Sequence, residues 1–228
     1  MIQGVIQQLI DGQDLDRGAA RGTMDQIMSG GATDAQIGAF LIALRCKGET
    51  VDEIAGFAEA MREKATPIGG GREPMIDTCG TGGDGSGTFN ISTAVAFVAA
   101  GAGLCVAKHG KRDMSSKCGS ADVLAALGVD VEASPEKVAT CLDEVGIGFL
   151  FAPKLHGAMK HAIGPRKEIG TRTVFNILGP LTTPAGARRQ LIGVFAAELT
   201  ERMAAVLRAL GSERALVVHG SDGLDELT

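Results

Sequence analysis

The sequence predicts an α/β protein with a small N-terminal all-helical domain and a larger α/β domain around a mostly parallel central sheet. Three observations predict this fold class. Helix signals fill residues 1–68, strand and helix candidates alternate from residue 73 onwards, and a glycine-rich turn joins the first of these strands to the helix that follows it. Such alternation is typical of parallel sheets covered by helices.

Two capping boxes predict helices in the first part of the chain. Thr33 and Gln36 precede apolar residues at helical spacing, and Thr50 and Glu53 repeat the pattern. Pro67 and the glycines that follow it predict a linker. We therefore expect a helical domain at residues 1–68.

The alternating elements of the second part can be assigned by their apolar runs and turn signals. Strands are predicted at 74–78, 103–107, 147–151, 190–195 and 214–219, and helices at 91–101, 118–127, 135–145 and 197–210. A basic helical insert at about 153–185 interrupts the alternation, and we expect it to pack on the N-terminal helices. The α/β domain is expected to span residues 73–228.

Composition excludes several classes of function. The chain has 228 residues, 45% apolar content, a net charge of −5 and a pI of about 5.4, which disfavours nucleic-acid binding. No apolar run approaches the roughly 20 residues of a membrane span, and the N-terminus has no signal-peptide pattern. Five widely spaced cysteines without a C-x-x-C favour neither disulfides nor zinc, and they indicate a reducing cytoplasm.

The glycine-rich turn is the most informative segment. Between the predicted strand at 74–78 and the predicted helix at 91–101, five glycines occur within the eight residues 80–87. Glycine reaches positive φ at low cost, so a strand–loop–helix unit of this kind can bring backbone N–H groups close to a phosphate. The sequence is neither a P-loop nor a convincing dinucleotide-binding fingerprint.

A second loop, at residues 108–122, also favours phosphate binding. It carries four basic residues and three serines, follows a predicted strand and precedes a helix. Ligands bind beyond the carboxyl ends of strands in open α/β sheets. The alternative is a solvated basic loop, which the neighbouring glycine turn makes the weaker interpretation.

Two further segments are candidates for binding chemistry. Arg166 or Arg172 could hold a carboxylate, although a surface arginine paired with Glu168 is the slightly favoured alternative; the spacing of His156 and His161 disfavours a metal site. Asp225 and Glu226 follow the last predicted strand and suit Mg²⁺ binding, with an exposed acidic turn as the alternative. Two phosphate cradles and an acidic pair predict a pyrophosphate leaving group. No signature of a covalent nucleophile is present.

These segments resemble the anthranilate phosphoribosyltransferase family of tryptophan biosynthesis. The matching motifs are Gly80-Thr-Gly-Gly-Asp84, Asn90-Ile-Ser-Thr93, Lys108-His-Gly, Gly119-Ser-Ala-Asp122, Arg172-Thr-Val-Phe-Asn-Ile-Leu-Gly-Pro180 and Gly223-Leu-Asp-Glu226. The resemblance implies an architecture shared with nucleoside phosphorylases, a homodimer formed through the helical domain, and a Mg²⁺-dependent reaction. In that reaction, the second step from chorismate, the 5-phosphoribosyl group passes from phosphoribosyl pyrophosphate to anthranilate.

The resemblance also implies site residues, position by position. The expected contacts to phosphoribosyl pyrophosphate are Gly80, Gly83, Asp84, Thr88, Asn90, Ile91, Ser92, Thr93, Lys108, His109, Gly110, Lys111, Arg112, Ser115, Ser116 and Ser120. The expected anthranilate contacts are Gly80, His109, Lys111, Arg166 and Pro180. The expected Mg²⁺ ligands are Ser92, Asp225 and Glu226, and no acid–base or covalent catalytic residue is implied.

The chain departs from the family pattern in two ways. Lys111 stands where the family has asparagine, and we expect altered binding of the acceptor there. Family chains continue past the acidic pair, so we expect the α/β domain to be truncated at its C-terminus. The alternative functions are a pyrimidine nucleoside phosphorylase-like enzyme and a non-catalytic relative that binds nucleic acid.

Overall fold

A computed structural model describes residues 2–112 and 118–228 of the chain. The first four helices are α1 (Ile2–Ile10), α2 (Arg17–Met28), α3 (Asp34–Lys47) and α4 (Val51–Lys64). Both predicted capping boxes are present, at the N-termini of α3 and α4. The N-terminal part is therefore all helical, as predicted.

Buried Glu53 links the helices of this part. Its carboxylate accepts hydrogen bonds from the N–H of Leu15 at 2.9 Å, from the N–H of Thr50 at 2.8 Å and from Lys47 Nζ at 3.0 Å. A buried carboxylate is tolerated when it is paired and hydrogen-bonded in this way. The one residue thus joins α4, the α1–α2 connection and α3.

The second part is an α/β layer whose sheet is parallel throughout. The strands are β1 (Met75–Asp77), β2 (Cys105–Gly110), β3 (Ile147–Phe151), β4 (Arg189–Gly193) and β5 (Arg214–Val218), in the spatial order β3-β2-β1-β4-β5. All four strand pairings are parallel. The chain order runs outward from β1 to β3 and then returns to β4 beside β1, so β1 lies at the topological switch point.

Helices connect and cover these strands. They are α5 (Ile91–Gly101), α6 (Ser120–Ala126), α7 (Pro135–Glu144), α8 (Ala152–Leu155), α9 (Lys160–Ile169), α10 (Phe175–Leu178) and α11 (Leu199–Ala209). Ser134 accepts from the N–H of Lys137 and Pro135 occupies the first turn, as predicted for the start of α7. None of the helices described is long and apolar enough to cross a membrane.

The insert between β3 and β4 packs on the N-terminal helices. Helix α9 contacts α2 and α3, and α10 contacts α4. One hydrophobic core is continuous across these elements, because Phe40 and Phe57 of the N-terminal helices belong to the same buried cluster as Leu178, Ile192 and Met203. The N-terminal helices, the insert, β4 and α11 thereby form one packed unit.

Asp77, the last residue of β1, fixes the adjacent ends of β1 and β2. Its Oδ1 accepts from the N–H of His109 and from the N–H of Cys79, each at 3.1 Å, while Oδ2 has no partner among the described residues. Burial raises the pKa of Asp77 from 3.8 to about 6, against the opposing charge of Lys108. The site therefore favours the protonated carboxyl.

We expect Asp77→Asn to remove a pH dependence of stability. The folded-state pKa is raised, so the wild type loses stability as the pH rises through the window from about 4 to about 6, and the amide does not. The free energy of unfolding of the variant relative to that of the wild type should rise by about 2 kcal/mol between pH 4 and pH 7. Urea denaturation across this range measures it, and a constant difference would contradict the assignment.

Candidate active site

The site lies where the loops after β1, β2 and β5 meet the N-terminus of α5. Lys108 of β2 is buried, with 3% of its surface exposed, and its Nζ lies 3.5 Å from the carbonyl oxygen of Thr78 and 3.3 Å from Ser92 Oγ. Thr78 Oγ1 donates to the carbonyl oxygen of Ser92 at 2.9 Å. The Lys108 ammonium is therefore the point at which the end of β1, strand β2 and the first turn of α5 meet.

The ammonium of Lys108 has no carboxylate within salt-bridge distance in the part of the chain that the structure describes. Both of its hydrogen-bond partners are neutral oxygens. A buried cation without a paired anion is costly unless a ligand supplies the negative charge. Lys108 is therefore a candidate for binding an anionic ligand.

The glycine loop borders this cation. Gly82 and Gly83 have φ of +64° and +84°, the left-handed conformation that glycine adopts without strain. Within residues 2–112 and 118–228, none of the backbone N–H groups of residues 83–89 donates to a protein acceptor. Asn90 is the N-cap residue of α5, but its side chain makes no capping hydrogen bond. Its amide nitrogen instead donates to the carbonyl oxygen of Cys118 at 3.2 Å. The loop thus presents backbone N–H groups that have no partner among the described residues, an arrangement that can bind an anion.

The acidic pair completes the site on the side of β5. An ideal Cβ on Gly80 would lie 3.5 Å from Asp225 Oδ2 and 2.9 Å from the carbonyl oxygen of Gly193, so the glycine loop and the acidic turn are in direct contact. The backbone N–H groups of Gly82 and Ser92 lie near the carboxylates of Asp225 and Glu226, respectively, and act to lower their pKa values. The acidic turn therefore lies against Gly80 and Gly82 of the glycine loop and against Ser92 at the start of α5.

The electrostatics of the acidic pair fit a divalent cation. Burial and the neighbouring Asp225 raise the pKa of Glu226 to about 7, and Lys108 opposes this shift. Burial and the charge of Asp84 likewise raise the pKa of Asp225. A cation would relieve this repulsion, and the all-oxygen donor set suits Mg²⁺. No three His, Cys, Asp or Glu side chains of the described residues form a metal cluster, and Mg²⁺ needs only one or two carboxylates beside substrate and water.

A second, less polar group lies next to Lys108. His109 is buried, its ring Nε2 lies 3.2 Å from Nε2 of His156, and its Nδ1 has no partner among the described residues. Burial lowers the pKa of His109 to about 3 and that of His156 to about 4, so both rings are neutral at pH 7. Sequence reasoning considered His156 only as a metal ligand, because a partner 47 residues distant leaves no local pattern.

Arg166 and Pro180 lie within the insert. The guanidinium of Arg166 lies 5.0 Å from the ring centroid of Phe175, its pKa is lowered by burial, and it pairs with no carboxylate in residues 2–112 and 118–228. The alternative of a surface pair with Glu168 is therefore wrong for the described structure. Pro180 is buried, and its carbonyl oxygen accepts from Gln190 at 2.7 Å.

Other predicted contacts are placed less centrally. Arg112 pairs with Asp122 at 2.9 Å and lies over the ring of Phe151, which directs its charge towards α6. Lys111 and Thr88 are exposed, and Gly110 lies beside Ser120 at the end of β2. Thr93 is buried beside a cavity of about 130 Å³ that Lys108 also borders. Ser115 and Ser116 lie outside the described residues.

The cysteine in the glycine loop is not an activated nucleophile. Burial and the charge of Asp77 raise the pKa of the Cys79 thiol to about 12. The thiolate, which is the reactive form, is therefore disfavoured. This agrees with the absence of a covalent signature in the sequence.

Comparison with known proteins extends over the whole chain. Residues 72–228 match the α/β domain of a glycosyl transferase family, and residues 3–65 match the helical bundle domain of the same family. The anthranilate phosphoribosyltransferase of Moorella thermoacetica is 62% identical over 228 residues, which are 100% of this chain and 67% of that protein.

Solved structures agree with this match. The anthranilate phosphoribosyltransferase of Thermus thermophilus superimposes with a TM-score of 0.93 at 47% identity, over 98% of this chain and 68% of that one. The Saccharomyces cerevisiae enzyme, solved in complex with phosphoribosyl pyrophosphate and Mg, gives a TM-score of 0.90 at 30% identity, over 100% of this chain and 68% of that one. The chain belongs to the anthranilate phosphoribosyltransferase family.

Proposed function

We propose that this chain transfers the 5-phosphoribosyl group from phosphoribosyl pyrophosphate to the amine of anthranilate, giving N-(5-phosphoribosyl)anthranilate and pyrophosphate with Mg²⁺ as cofactor. The observation that carries the proposal is the buried ammonium of Lys108, which faces neutral oxygens at the junction of the glycine loop and the acidic pair. The reaction is the second step from chorismate in tryptophan biosynthesis, and we place it in the cytoplasm.

The pyrophosphate of the donor is assigned to the loop after β1 and the start of α5. There the free N–H groups of residues 83–89 and the Lys108 ammonium supply positive charge. As the bond to the leaving group breaks, negative charge grows on the pyrophosphate and positive charge on ribose C1. Donors already fixed in place stabilise the leaving group without reorganising. We retain Gly80, Asp84, Thr88 and the Asn90–Thr93 turn as further donor contacts.

The cofactor is assigned to Ser92, Asp225 and Glu226. When bound, Mg²⁺ neutralises the charge that develops on the departing pyrophosphate. The N–H groups of Gly82 and Ser92 near these carboxylates favour their charged forms, which are the forms that bind Mg²⁺. The carboxylate of Asp84 adds negative charge beside Asp225, which makes the binding of a cation there more favourable.

The acceptor is assigned to His109, Lys111, Arg166 and Pro180. The neutral rings of His109 and His156 form a surface that an uncharged aromatic amine can approach without desolvating a charge. Arg166, which has no carboxylate partner among the described residues, is left to pair with the carboxylate of anthranilate. Placement is the main requirement, because the amine needs no strong base if its proton leaves late.

We also propose the division into a helical domain at 1–68, with the insert at about 153–185 packed on it, and an α/β domain at 73–228. A homodimer through the helical domain is supported by three exposed apolar side chains on helices that pack together, Ile10, Ile42 and Ile163. Light scattering after gel filtration tests the dimer, and a monomer at micromolar concentration would exclude it.

The function is tested by following anthranilate fluorescence with phosphoribosyl pyrophosphate and Mg²⁺ in the presence of the purified chain. Loss of anthranilate with stoichiometric release of pyrophosphate is expected. Phosphorolysis of a pyrimidine nucleoside without this reaction would instead support the phosphorylase alternative. A salt-dependent shift of DNA without turnover would support the non-catalytic one.

The Mg²⁺ assignment predicts a selective effect of Glu226→Gln. Loss of one carboxylate ligand should raise the Mg²⁺ concentration for half-maximal activity by about tenfold, a change worth about 1.4 kcal/mol. Asp222→Asn is the matched control, because Asp222 lies in the same turn and accepts from Leu224 and Thr228. Equal Mg²⁺ requirements in all three proteins would contradict the assignment.

Because Lys111 stands where the family has asparagine, we predict that it changes the binding of the acceptor. The exposed Lys111 places a flexible cation beside the proposed acceptor site, and asparagine would remove its charge and length. We expect Lys111→Asn to lower the KM for anthranilate by several-fold and to leave the KM for phosphoribosyl pyrophosphate within twofold. Steady-state kinetics measure both constants, and an unchanged anthranilate KM would refute the role of Lys111.

A further inference from the structure

Arg172 connects the insert to the glycine loop. It lies between α9 and α10, and its Nη2 donates to the carbonyl oxygen of Gly83. The same guanidinium lies 4.2 Å from the ring centroid of Phe195, in the connection after β4. Sequence reasoning considered Arg172 as a carboxylate ligand, whereas in the structure its guanidinium holds a backbone oxygen.

The first residues of the glycine loop are tied down by other groups. The N–H of Thr81 donates to the carbonyl oxygen of Gly193 at 2.9 Å, and Thr81 Oγ1 accepts from the N–H of Phe195 at 3.1 Å. Between Gly83 and Phe89, by contrast, the hydrogen bond to Arg172 is the one that ties the loop backbone to the rest of the described protein. The orientation of this stretch therefore depends on Arg172.

Because of the geometry of the peptide unit, the contact with the Gly83 carbonyl also fixes the direction of the Asp84 N–H group. The peptide unit is planar and trans, so the carbonyl of Gly83 and the N–H of Asp84 point in opposite directions. Gly83 has φ of +84° and no Cβ, and rotation of this peptide unit is therefore sterically cheap. A rotated unit would present a carbonyl oxygen where the loop now presents an N–H group, and an oxygen repels phosphate.

We propose that Arg172 is a positioning residue for the proposed pyrophosphate site. It binds the Gly83 carbonyl so that the following N–H groups remain available to the pyrophosphate, and the ring of Phe195 holds the guanidinium in place. The role rests on the proposed function. Arg45 of α3 in turn donates to the carbonyl oxygen of Arg172 at 2.5 Å, which anchors the segment to the N-terminal helices.

The test compares Arg172→Met with a matched arginine. Arg188 also donates to a glycine carbonyl, that of Gly211 at 3.2 Å, and pairs with Glu213 away from the site. We expect Arg172→Met to raise the KM for phosphoribosyl pyrophosphate by about tenfold with the anthranilate KM within twofold. Arg188→Met should change neither, and Arg172→Lys should be intermediate because it keeps a cationic donor but loses the planar stack.

A second readout does not depend on catalysis. Calorimetric titration of Mg²⁺-pyrophosphate should give an affinity about tenfold lower for Arg172→Met than for the wild type, with the affinity of Arg188→Met unchanged. If Arg172→Met fails to fold, Phe195→Leu, which removes the stack and keeps the arginine, should show the same effects in weaker form.

The outcomes separate this role from the proposed function. A wild type without transferase activity refutes the proposed function, while the affinity for Mg²⁺-pyrophosphate still decides the role of Arg172. An unchanged donor KM together with an unchanged pyrophosphate affinity overturns the inference. Equal rises in both KM values together with a lowered melting temperature also overturn it, because they indicate a general structural role.

Discussion

The site depends on one constraint, which is that Lys108 carries its charge inside the protein at the point where three elements meet. The ammonium contacts the end of β1 and the first turn of α5, and both contacts are to neutral oxygens. Burial makes an unpaired ammonium costly, so the folded chain is suited to a ligand that brings negative charge. The glycine loop, the uncapped helix start and the acidic turn are arranged around this position.

The arrangement places the positive groups on one side of the site and the negative groups on the other, so that substrate and metal can bridge them. Lys108 and the free N–H groups lie on the side of β1 and α5, and Asp84, Asp225 and Glu226 crowd together beside them. A diphosphate with Mg²⁺ carries both signs of charge and can satisfy both sides at once. The histidine pair next to Lys108 is neutral, and it supplies a less polar surface for an aromatic acceptor.

Much of the fold could be predicted because its signals are local. The capping boxes of α3 and α4, the Ser134–Pro135 start of α7 and the alternation of strands with helices each depend on neighbouring residues. The predicted limits of β3 matched the observed ones, whereas other predicted strand ends differed by up to three residues; β2, for example, runs to Gly110 rather than residue 107. The ends of a strand are set by its hydrogen bonds to neighbouring strands, and the sequence of one segment does not contain that information.

The site could be predicted only in part, because several contacts join residues far apart in the chain. The proximity of Lys108, Ser92 and the acidic pair was expected from strand-end positions and the family motifs. The pairing of Arg112 with Asp122, the His109–His156 contact and the Arg172–Gly83 hydrogen bond arise from tertiary packing. A basic or histidine residue seen in sequence does not reveal which partner folding gives it.

The most direct measurement is calorimetric titration of Mg²⁺-pyrophosphate into the wild type, Lys108→Met and Lys137→Met, the last an exposed lysine of α7. Our account predicts micromolar binding by the wild type and Lys137→Met, with at least a hundredfold loss, about 2.7 kcal/mol, for Lys108→Met. Equal affinities in the three proteins, each shown to be folded, would contradict it.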